Sequence, residues 1–171
     1  DAADLSVFSV SAISSQASTT FVQNTSGTVT VLVANISALA TSDVPIPLQI
    51  TVPSAFTVGA ITRSDNFTCV TAANVVTCTI AAGSILAGNT ETIIFQITAT
   101  TVATGVTVTA ALVAPWTDAN NANNTRSSSA LDIVAPSATP TRTTTPTASP
   151  SASAFPTFPV PTFTPTTNPF L

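Results

Sequence analysis

Charge is the scarcest feature of this sequence. Its 171 residues include seven Asp or Glu, three Arg, and no Lys, His, Tyr or Met, which gives a formal net charge of −4. A nucleic-acid partner is excluded, because binding one requires a basic patch that neutralises phosphates. Catalysis by serine is excluded as well, since no histidine or lysine is present to activate the hydroxyl group. We therefore predict that the protein is not an enzyme, with no catalytic residue and no cofactor.

Long apolar runs are also missing. No stretch approaches the roughly 20 apolar residues that cross a bilayer as a helix, so no membrane span is predicted. The chain starts at Asp1, with no initiator Met and no leader. This start is typical of a secreted protein after removal of its signal peptide, although a chain trimmed for another reason would look the same.

The composition changes abruptly at Pro136. The last 36 residues contain nine Pro, eleven Thr and four Ser, and Arg142 is their only charged residue. Such a segment cannot bury enough apolar surface to offset its ordering entropy. We predict a single domain over 1–135, a Ser/Thr/Pro-rich spacer over 136–154 and a Phe/Pro-rich docking tail over 155–171.

Alternating apolar and polar residues run through the first 135 positions. Val, Ile and Thr dominate these segments, and Gly, Pro, Asn or Asp bound them, which is typical of half-buried strands. The sequence therefore predicts an all-β, Ig-like sandwich of two sheets with about seven or more strands. The clearest strand segments are 27–35, 47–52, 90–100, 105–113 and 127–134.

Cys69 and Cys78, the only cysteines, flank a predicted turn at 72–74. Two short strands joined by this turn would bring the sulfur atoms together. A metal site would need two further ligands, and the chain has no histidine and no other cysteine. We predict a disulfide, which also favours an oxidising compartment.

Several short motifs occur in an order found in one known family. They are Ala-Asp-Leu at 3–5, Leu-Gln-Ile-Thr-Val-Pro at 48–53, Val-Thr-Cys-Thr-Ile at 76–80, Leu-Ala-Gly-Asn-Thr at 86–90 and Asn-Asn at 123–124. Over residues 3–134 the chain resembles the Ig-like "domain of unknown function" repeat of bacterial and archaeal cell-surface proteins. The resemblance implies surface architecture without catalytic residues. Two departures are the Asn35-Ile-Ser37 turn, where the family has Asn-Thr-Gly, and the single copy of the domain.

Other sites for chemistry are weak. The segment 118–124, Asp-Ala-Asn-Asn-Ala-Asn-Asn, offers oxygen atoms that suit Ca²⁺, but it lacks the glycine and the bidentate Glu of a strong calcium loop. We interpret it as a polar turn and predict no metal. Glu91 has no obvious carboxylate partner for glycoside hydrolysis. Trp116 is interpreted as a cap on the core, with a sugar-stacking platform as the alternative.

Several residues are candidate sugar acceptors. Four asparagines stand in Asn-x-Ser/Thr sequons, and the Thr/Pro-rich segment resembles an O-glycosylated stalk. The candidates are Asn24, Asn35, Asn66, Asn123, Thr143, Thr144 and Thr145.

The tail is unusually aromatic for a linker. Four of the nine phenylalanines lie within 155–171, which indicates docking in an apolar groove rather than a solvated spacer. The N-terminal residues Leu5, Val7 and Val10 are an alternative donor strand. The predicted docking anchors are Phe155, Phe158, Val160, Phe163, Phe170 and Leu171.

The predicted surface is covered by Thr and Ser, where most domains place Lys and Glu. Edge strands without charge tend to pair with other chains, and low net charge favours association. The resulting hypothesis is a secreted structural subunit that self-assembles into an extracellular, glycosylated homopolymeric filament. The alternative is a monomeric adhesion or carbohydrate-binding module on a glycosylated stalk at the cell surface.

Overall fold

A computed structural model describes residues 3–38, 44–113, 117–138 and 162 of the chain. These residues form strands, turns and a single turn of 3-10 helix at Asn121–Asn123, and no helix among them is long and apolar enough to cross a membrane. The strands all lie within one unit, Asp1–Ser137. They are β1 (Leu5–Ser14), β2 (Thr20–Val22), β3 (Ser26–Asn35), β4 (Ile46–Thr51), β5 (Phe56–Arg63), β6 (Phe67–Ala72), β7 (Val75–Ile80), β8 (Thr90–Ala99), β9 (Ala103–Val106), β10 (Thr109–Leu112), β11 (Thr125–Ser127) and β12 (Leu131–Val134).

Two antiparallel sheets make up the body of the domain. The first has the strand order β1-β3-β8-β5, and the second has the order β11-β10-β4-β7-β6. A small third sheet, β2-β12-β9, pairs β2 with β12 in parallel and β12 with β9 in antiparallel orientation. The predicted all-β, Ig-like sandwich is therefore confirmed.

The core follows the alternation of the sequence. In β3, Val29, Val31 and Val33 are fully buried, while the residues between them are only partly buried. The inward residues of β4, β7 and β8 join the same hydrophobic cluster. Burial of such side chains stabilises the fold by about 1.5–3 kcal/mol each. The largest fully buried side chains are Phe21, Phe56, Phe95, Leu5, Ile46, Leu48, Ile50, Ile80, Ile85, Ile93, Ile97 and Leu131.

Two segments predicted as single strands are each divided between sheets. The segment 105–113 contributes its first part to β9 and its last part to β10, and 127–134 is divided in the same way between β11 and β12. At the crossing, the Val108 N–H donates to Ser128 Oγ at 3.1 Å, and the Ser128 N–H donates to the Val108 carbonyl at 2.8 Å. The prediction of continuous strands was wrong because a strand that bends from one sheet into another keeps its alternation.

The β6–β7 hairpin carries the predicted disulfide. Cys69 and Cys78 are directly opposite in the register, with their Cα atoms 4.0 Å apart, and their sulfur atoms are bonded. The turn between the strands places Ala73 in the left-handed region at φ +49°. Because Cys78 is fully buried, the bridge fastens β6 to β7 on the inner face of the sheet.

Gly27 is required where β3 passes the aromatic core. A Cβ atom at this position would lie well inside van der Waals contact with the Ile13 carbonyl oxygen and with the Phe21 ring. Phe21 cannot move away easily, because its ring packs edge-on against Phe56 with centroids 5.0 Å apart. A residue without a side chain is therefore needed here.

Gly27→Ala should lower the free energy of unfolding by about 3 kcal/mol, at the upper end for overpacking, because one of the obstructing atoms belongs to the backbone. Urea denaturation followed by far-UV circular dichroism measures the loss. Gly59→Ala is the matched control, since the added methyl group would meet Gln96 Cβ at 3.2 Å. Equal stabilities of the two variants would contradict this account.

Removing the bridge with Cys69→Ala and Cys78→Ala should lower the free energy of unfolding by about 2.5 kcal/mol, as the chain-entropy model gives for so short a loop. The denaturant midpoint of the double variant should match that of the wild type measured in reductant. An unchanged midpoint would show that the bridge does not stabilise the fold.

Candidate docking surface

The outer strands of the sheets are the places where another chain could add. An edge strand leaves a row of N–H and C=O groups unpaired, and proteins guard such rows with bulges, charge or short length. In the first sheet, β5 has register shifts between Val58 and Arg63. Arg63 also donates to Asp65 at 2.7 Å, and this hydrogen bond lowers the pKa of the Asp65 carboxyl group. The β5 edge is therefore guarded.

The edges formed by β1 and β11 cover each other. β11 is three residues long, and its Arg126 guanidinium donates to the Phe8 carbonyl oxygen of β1 at 2.6 Å. β1 also has a register shift between Val7 and Ser9. β11 is too short to offer a long edge, and β1, whose longest regular stretch is 9–14, is held to β11 at Phe8.

In the small sheet, β2 has only three residues and β9 has four. Gly105 in β9 lies at φ +68°, and its N–H is already bonded to Asp132 Oδ1 at 2.9 Å. Both strands are too short or too irregular to template an added strand.

The edge of β6 has none of these protections. Its six residues pair with β7 in unbroken register, and the strand contains no charge, no proline and no bulge. Val70, at its centre, is 64% exposed, more than any other large hydrophobic side chain in the described part of the chain. The disulfide holds the strand to β7. The β6 edge is therefore a fixed, uncharged row of backbone donors and acceptors, flanked by apolar and hydroxyl side chains.

A shallow groove of about 290 Å³ provides a second apolar feature. Val102, which is 53% exposed, stands on its wall. The groove contains no aromatic ring and no charged side chain, so it lacks the platform on which sugars stack. Its lining residues are Pro53, Ser54, Ala55, Thr101, Val102, Ala103 and Val106.

The candidate glycosylation sites differ in accessibility. Asn24 is exposed in a turn at φ +67°, and Asn66 is exposed while its Nδ2 donates to Glu91 Oε1 at 2.8 Å. Asn123 is half-buried, and its Nδ2 donates to Asp4 Oδ1 at 2.8 Å. Asn24 is therefore the most accessible of the three amides.

Asn35 does not fit a glycosylated site. It is fully buried, its Nδ2 donates to the Ile85 carbonyl at 3.0 Å, and its Oδ1 accepts from the Ser37 N–H and hydroxyl groups. A glycan on Nδ2 would have to occupy the protein interior. The sequon predicted an acceptor here, but the tertiary fold uses this amide to close the turn after β3.

Many of the predicted docking residues lie outside the described part of the chain. Leu5, Val7 and Val10, the alternative donor strand, are buried within β1 of their own domain. Trp116 is also outside the described residues. So are the tail anchors and the threonine acceptors, namely Phe155, Phe158, Val160, Phe163, Phe170, Leu171, Thr143, Thr144 and Thr145.

The sequence did not single out β6 as an edge. Residues 67–72 have the same Thr- and Val-rich composition as the central strands, so composition alone does not distinguish them. The segment contains no charged residue and no proline, but several strands that are paired on both sides also contain none. Position at the end of a sheet is a property of the topology.

Comparison with known proteins supports the fold. No family model matches the chain, and no curated protein sequence matches it. Two crystal structures of BcpA, the major pilin subunit of Bacillus cereus, are similar to this chain, and each shares 8% sequence identity with it. The D312A form has a TM-score of 0.52, and the other structure has a TM-score of 0.51. The matches cover 74% and 73% of this chain but only 40% and 39% of the pilin chains, so this chain spans less than half of their length. A non-cellulosomal cohesin from the archaeon Archaeoglobus fulgidus matches with a TM-score of 0.42, 13% identity, 77% coverage of this chain and 89% of the cohesin. What the pilin structures share with this chain is its β-sandwich fold.

Proposed function

We propose that this chain is a secreted structural subunit that self-assembles into an extracellular filament. The β6 edge of one copy would receive the extended C-terminal tail of the next copy. The observation that carries the proposal is the unguarded β6 edge, with its regular register, its lack of charge and its exposed Val70. An added strand would satisfy the unpaired backbone groups, which is the basis of strand addition in peptide recognition.

The proline pattern of the tail suits such an added strand. In an extended chain, the N–H groups of alternate residues point to opposite sides, so only every second residue must donate to an edge. Pro159, Pro161, Pro165 and Pro169 all occupy odd positions, and the even positions of 158–168 contain no proline. A strand over these residues can therefore direct all its even N–H groups to β6 while the prolines face away, as edge strands require.

The anchoring side chains follow from the same geometry. Phe158 and Val160 would lie on one face of the added strand, and Phe163 would lie on the other. Burial of one such phenylalanine stabilises the contact by roughly 1.5–3 kcal/mol. Because each copy would supply a tail and receive one on a different surface, the contact is heterologous and propagates as a filament when it does not close into a ring.

Several features favour a location outside the cell. The disulfide is typical of an oxidising compartment. The motif order resembles that of the Ig-like surface-repeat family, and the similar pilin structures have the same type of sandwich. Glycans on exposed Asn24 or on Thr143, Thr144 and Thr145 would cover surfaces that lack protective charge.

The tail is favoured over the N-terminal strand as the donor. Leu5, Val7 and Val10 already occupy the core of their own domain. Donation of β1 to a neighbour would leave β3 paired with β8 alone.

Deletion of residues 155–171 should leave a folded domain that no longer polymerises, because the donor strand is missing. Circular dichroism checks the fold, and negative-stain electron microscopy with sedimentation checks assembly. A synthetic peptide of residues 155–171 should bind to the truncated domain. It should not restore filaments, since a free peptide cannot link two subunits. Filaments of normal length from the truncated chain would rule out the tail as donor.

Val70→Lys should block assembly from the acceptor side, because a lysine on an edge strand opposes pairing with another chain. Leu86→Lys is the matched control, since Leu86 is 58% exposed and lies in the loop before β8. We expect the critical concentration for polymerisation to rise at least tenfold for Val70→Lys and to stay near the wild-type value for Leu86→Lys. Similar values for the two lysine variants would argue against the β6 edge.

The alternative, a monomeric carbohydrate-binding module, has less support. The groove beside β9 offers small apolar side chains and no aromatic ring. Size-exclusion chromatography of concentrated, unmodified full-length protein separates the two hypotheses, because the module stays monomeric and the subunit forms large species.

A further inference from the structure

The loop between β10 and β11 contains oxygen atoms that are buried without a partner. They are Asp118 Oδ2, Asn123 Oδ1 and Asn124 Oδ1, and none of them accepts a hydrogen bond. Asp118 as a whole is only 8% exposed, and Asn124 is 9% exposed. Burial of an unpaired polar group costs free energy, and burial of an unpaired carboxylate costs more. Three such atoms within seven residues therefore need an explanation.

The amide groups of this loop are oriented so that their oxygen atoms are the free ends. Asn123 Nδ2 donates to Asp4 Oδ1 at 2.8 Å, and a carboxylate can only accept, so this amide cannot be reversed. Asn124 Nδ2 donates to Asn121 Oδ1 at 3.2 Å. The three unpartnered atoms are therefore all acceptors. The described residues contain no buried side-chain donor without a partner that could bond to them.

The charge of the loop favours a bound cation over a bound water molecule. Asp118 is one carboxylate, and Asp4, which bonds to Asn123, is a second. The two arginines in the described part of the chain are engaged elsewhere, Arg63 with Asp65 and Arg126 with the Phe8 carbonyl. Water molecules can donate hydrogen bonds to these oxygens, but they bring no positive charge to the buried Asp118 carboxylate. A hard divalent cation satisfies all three oxygens and balances the carboxylate.

We propose that residues 118–124 bind Ca²⁺ through Asp118 Oδ2, Asn123 Oδ1 and Asn124 Oδ1, with Asp4 as a positioning carboxylate that fixes the Asn123 amide. The described residues contain no group of three or more His, Cys, Asp or Glu that could hold a metal ion, so neutral amide oxygens supply most of the protein ligands. Ca²⁺ takes six to eight oxygen ligands, and water would complete the shell. With so few charged ligands, the dissociation constant should be about 10⁻⁴–10⁻³ M, the range of extracellular modules.

Such a site would connect distant parts of the chain. Asp4 and Asn123 are 119 residues apart, and the Ala119 N–H also donates to the Ala3 carbonyl at 3.1 Å. A bound ion would hold the residues just before β1 against the loop between β10 and β11. The sequence prediction of a polar turn without metal considered only the ligands within 118–124, whereas the fold adds a carboxylate from the N-terminus.

The test is titration of the full-length, metal-free protein with CaCl₂ by isothermal calorimetry. Trp116 provides a local signal, because it is the only tryptophan, there is no tyrosine, and it stands two residues before Asp118. We expect saturable binding with a dissociation constant of about 0.1–1 mM. At 10 mM CaCl₂ the Tm should rise by roughly 3–11 °C through mass action. MgCl₂ at the same ionic strength should bind at least fivefold more weakly.

Three variants locate the site. Asp118→Asn should weaken Ca²⁺ binding at least tenfold without lowering the Tm of the metal-free protein, because it removes a buried charge and keeps an oxygen that can accept from the Asn120 N–H. Asp132→Asn, the matched control, keeps the oxygen that accepts from Gly105 and should bind Ca²⁺ with the wild-type constant. Asn124→Asp adds a carboxylate at a proposed ligand and should tighten binding about tenfold.

Absence of saturable binding up to 10 mM CaCl₂, wild-type affinity in Asp118→Asn or an equal response to MgCl₂ would overturn the proposal. Should Asp118→Asn fail to fold, Asn124→Asp decides: tighter binding supports the site, and unchanged or weaker binding overturns it. The proposed Ca²⁺ ligands belong neither to the tail nor to the β6 edge, so failure of Ca²⁺ binding and failure of filament assembly are separate, distinguishable outcomes.

Discussion

The unpaired backbone donors and acceptors of the edge strands are the main constraint on this structure. A sandwich made of open sheets always has edge strands, and the chain has too few charges to guard all of them. Bulges in β5, the contact of Arg126 with β1 and the shortness of β2, β9 and β11 protect most edges. The β6 edge remains, fixed by a disulfide and free of charge. In the proposed filament this edge is not a liability, because the tail of a neighbouring copy covers it.

In this domain, asparagine side chains form hydrogen bonds of the kind that charged residues form in other domains. Asn35 closes the turn after β3, Asn74 donates to the carbonyls of Pro53 and Phe56, and Asn66 holds the largely buried Glu91. An amide offers both a donor and an acceptor, so it can satisfy a buried backbone group without the desolvation cost of a charge. In the loop 118–124 three buried acceptor atoms, Asp118 Oδ2, Asn123 Oδ1 and Asn124 Oδ1, have no partner, and this distinguishes the loop chemically from the other turns.

The sequence predicted the parts of the fold that depend on local pattern. Alternation identified the inward residues of β3, β4 and β8, and the short spacing of Cys69 and Cys78 predicted their bridge. It failed where one run of alternating residues serves two sheets, as at Val108, because bending a strand does not change its period of two. It also could not reveal that the Asn35 amide is buried and bonded to the Ile85 carbonyl, since the sequon there has a normal composition.

By itself, the sequence determined the class of the fold and the hairpin disulfide, because these follow from composition and from neighbours along the chain. Only the tertiary structure decided which strand ends a sheet and which oxygen atoms lose contact with water. Both properties arise from contacts between distant residues, such as Asp4 with Asn123 or Arg126 with Phe8, and no local pattern encodes them. The candidate docking edge and the proposed calcium loop therefore became visible only once the chain was folded.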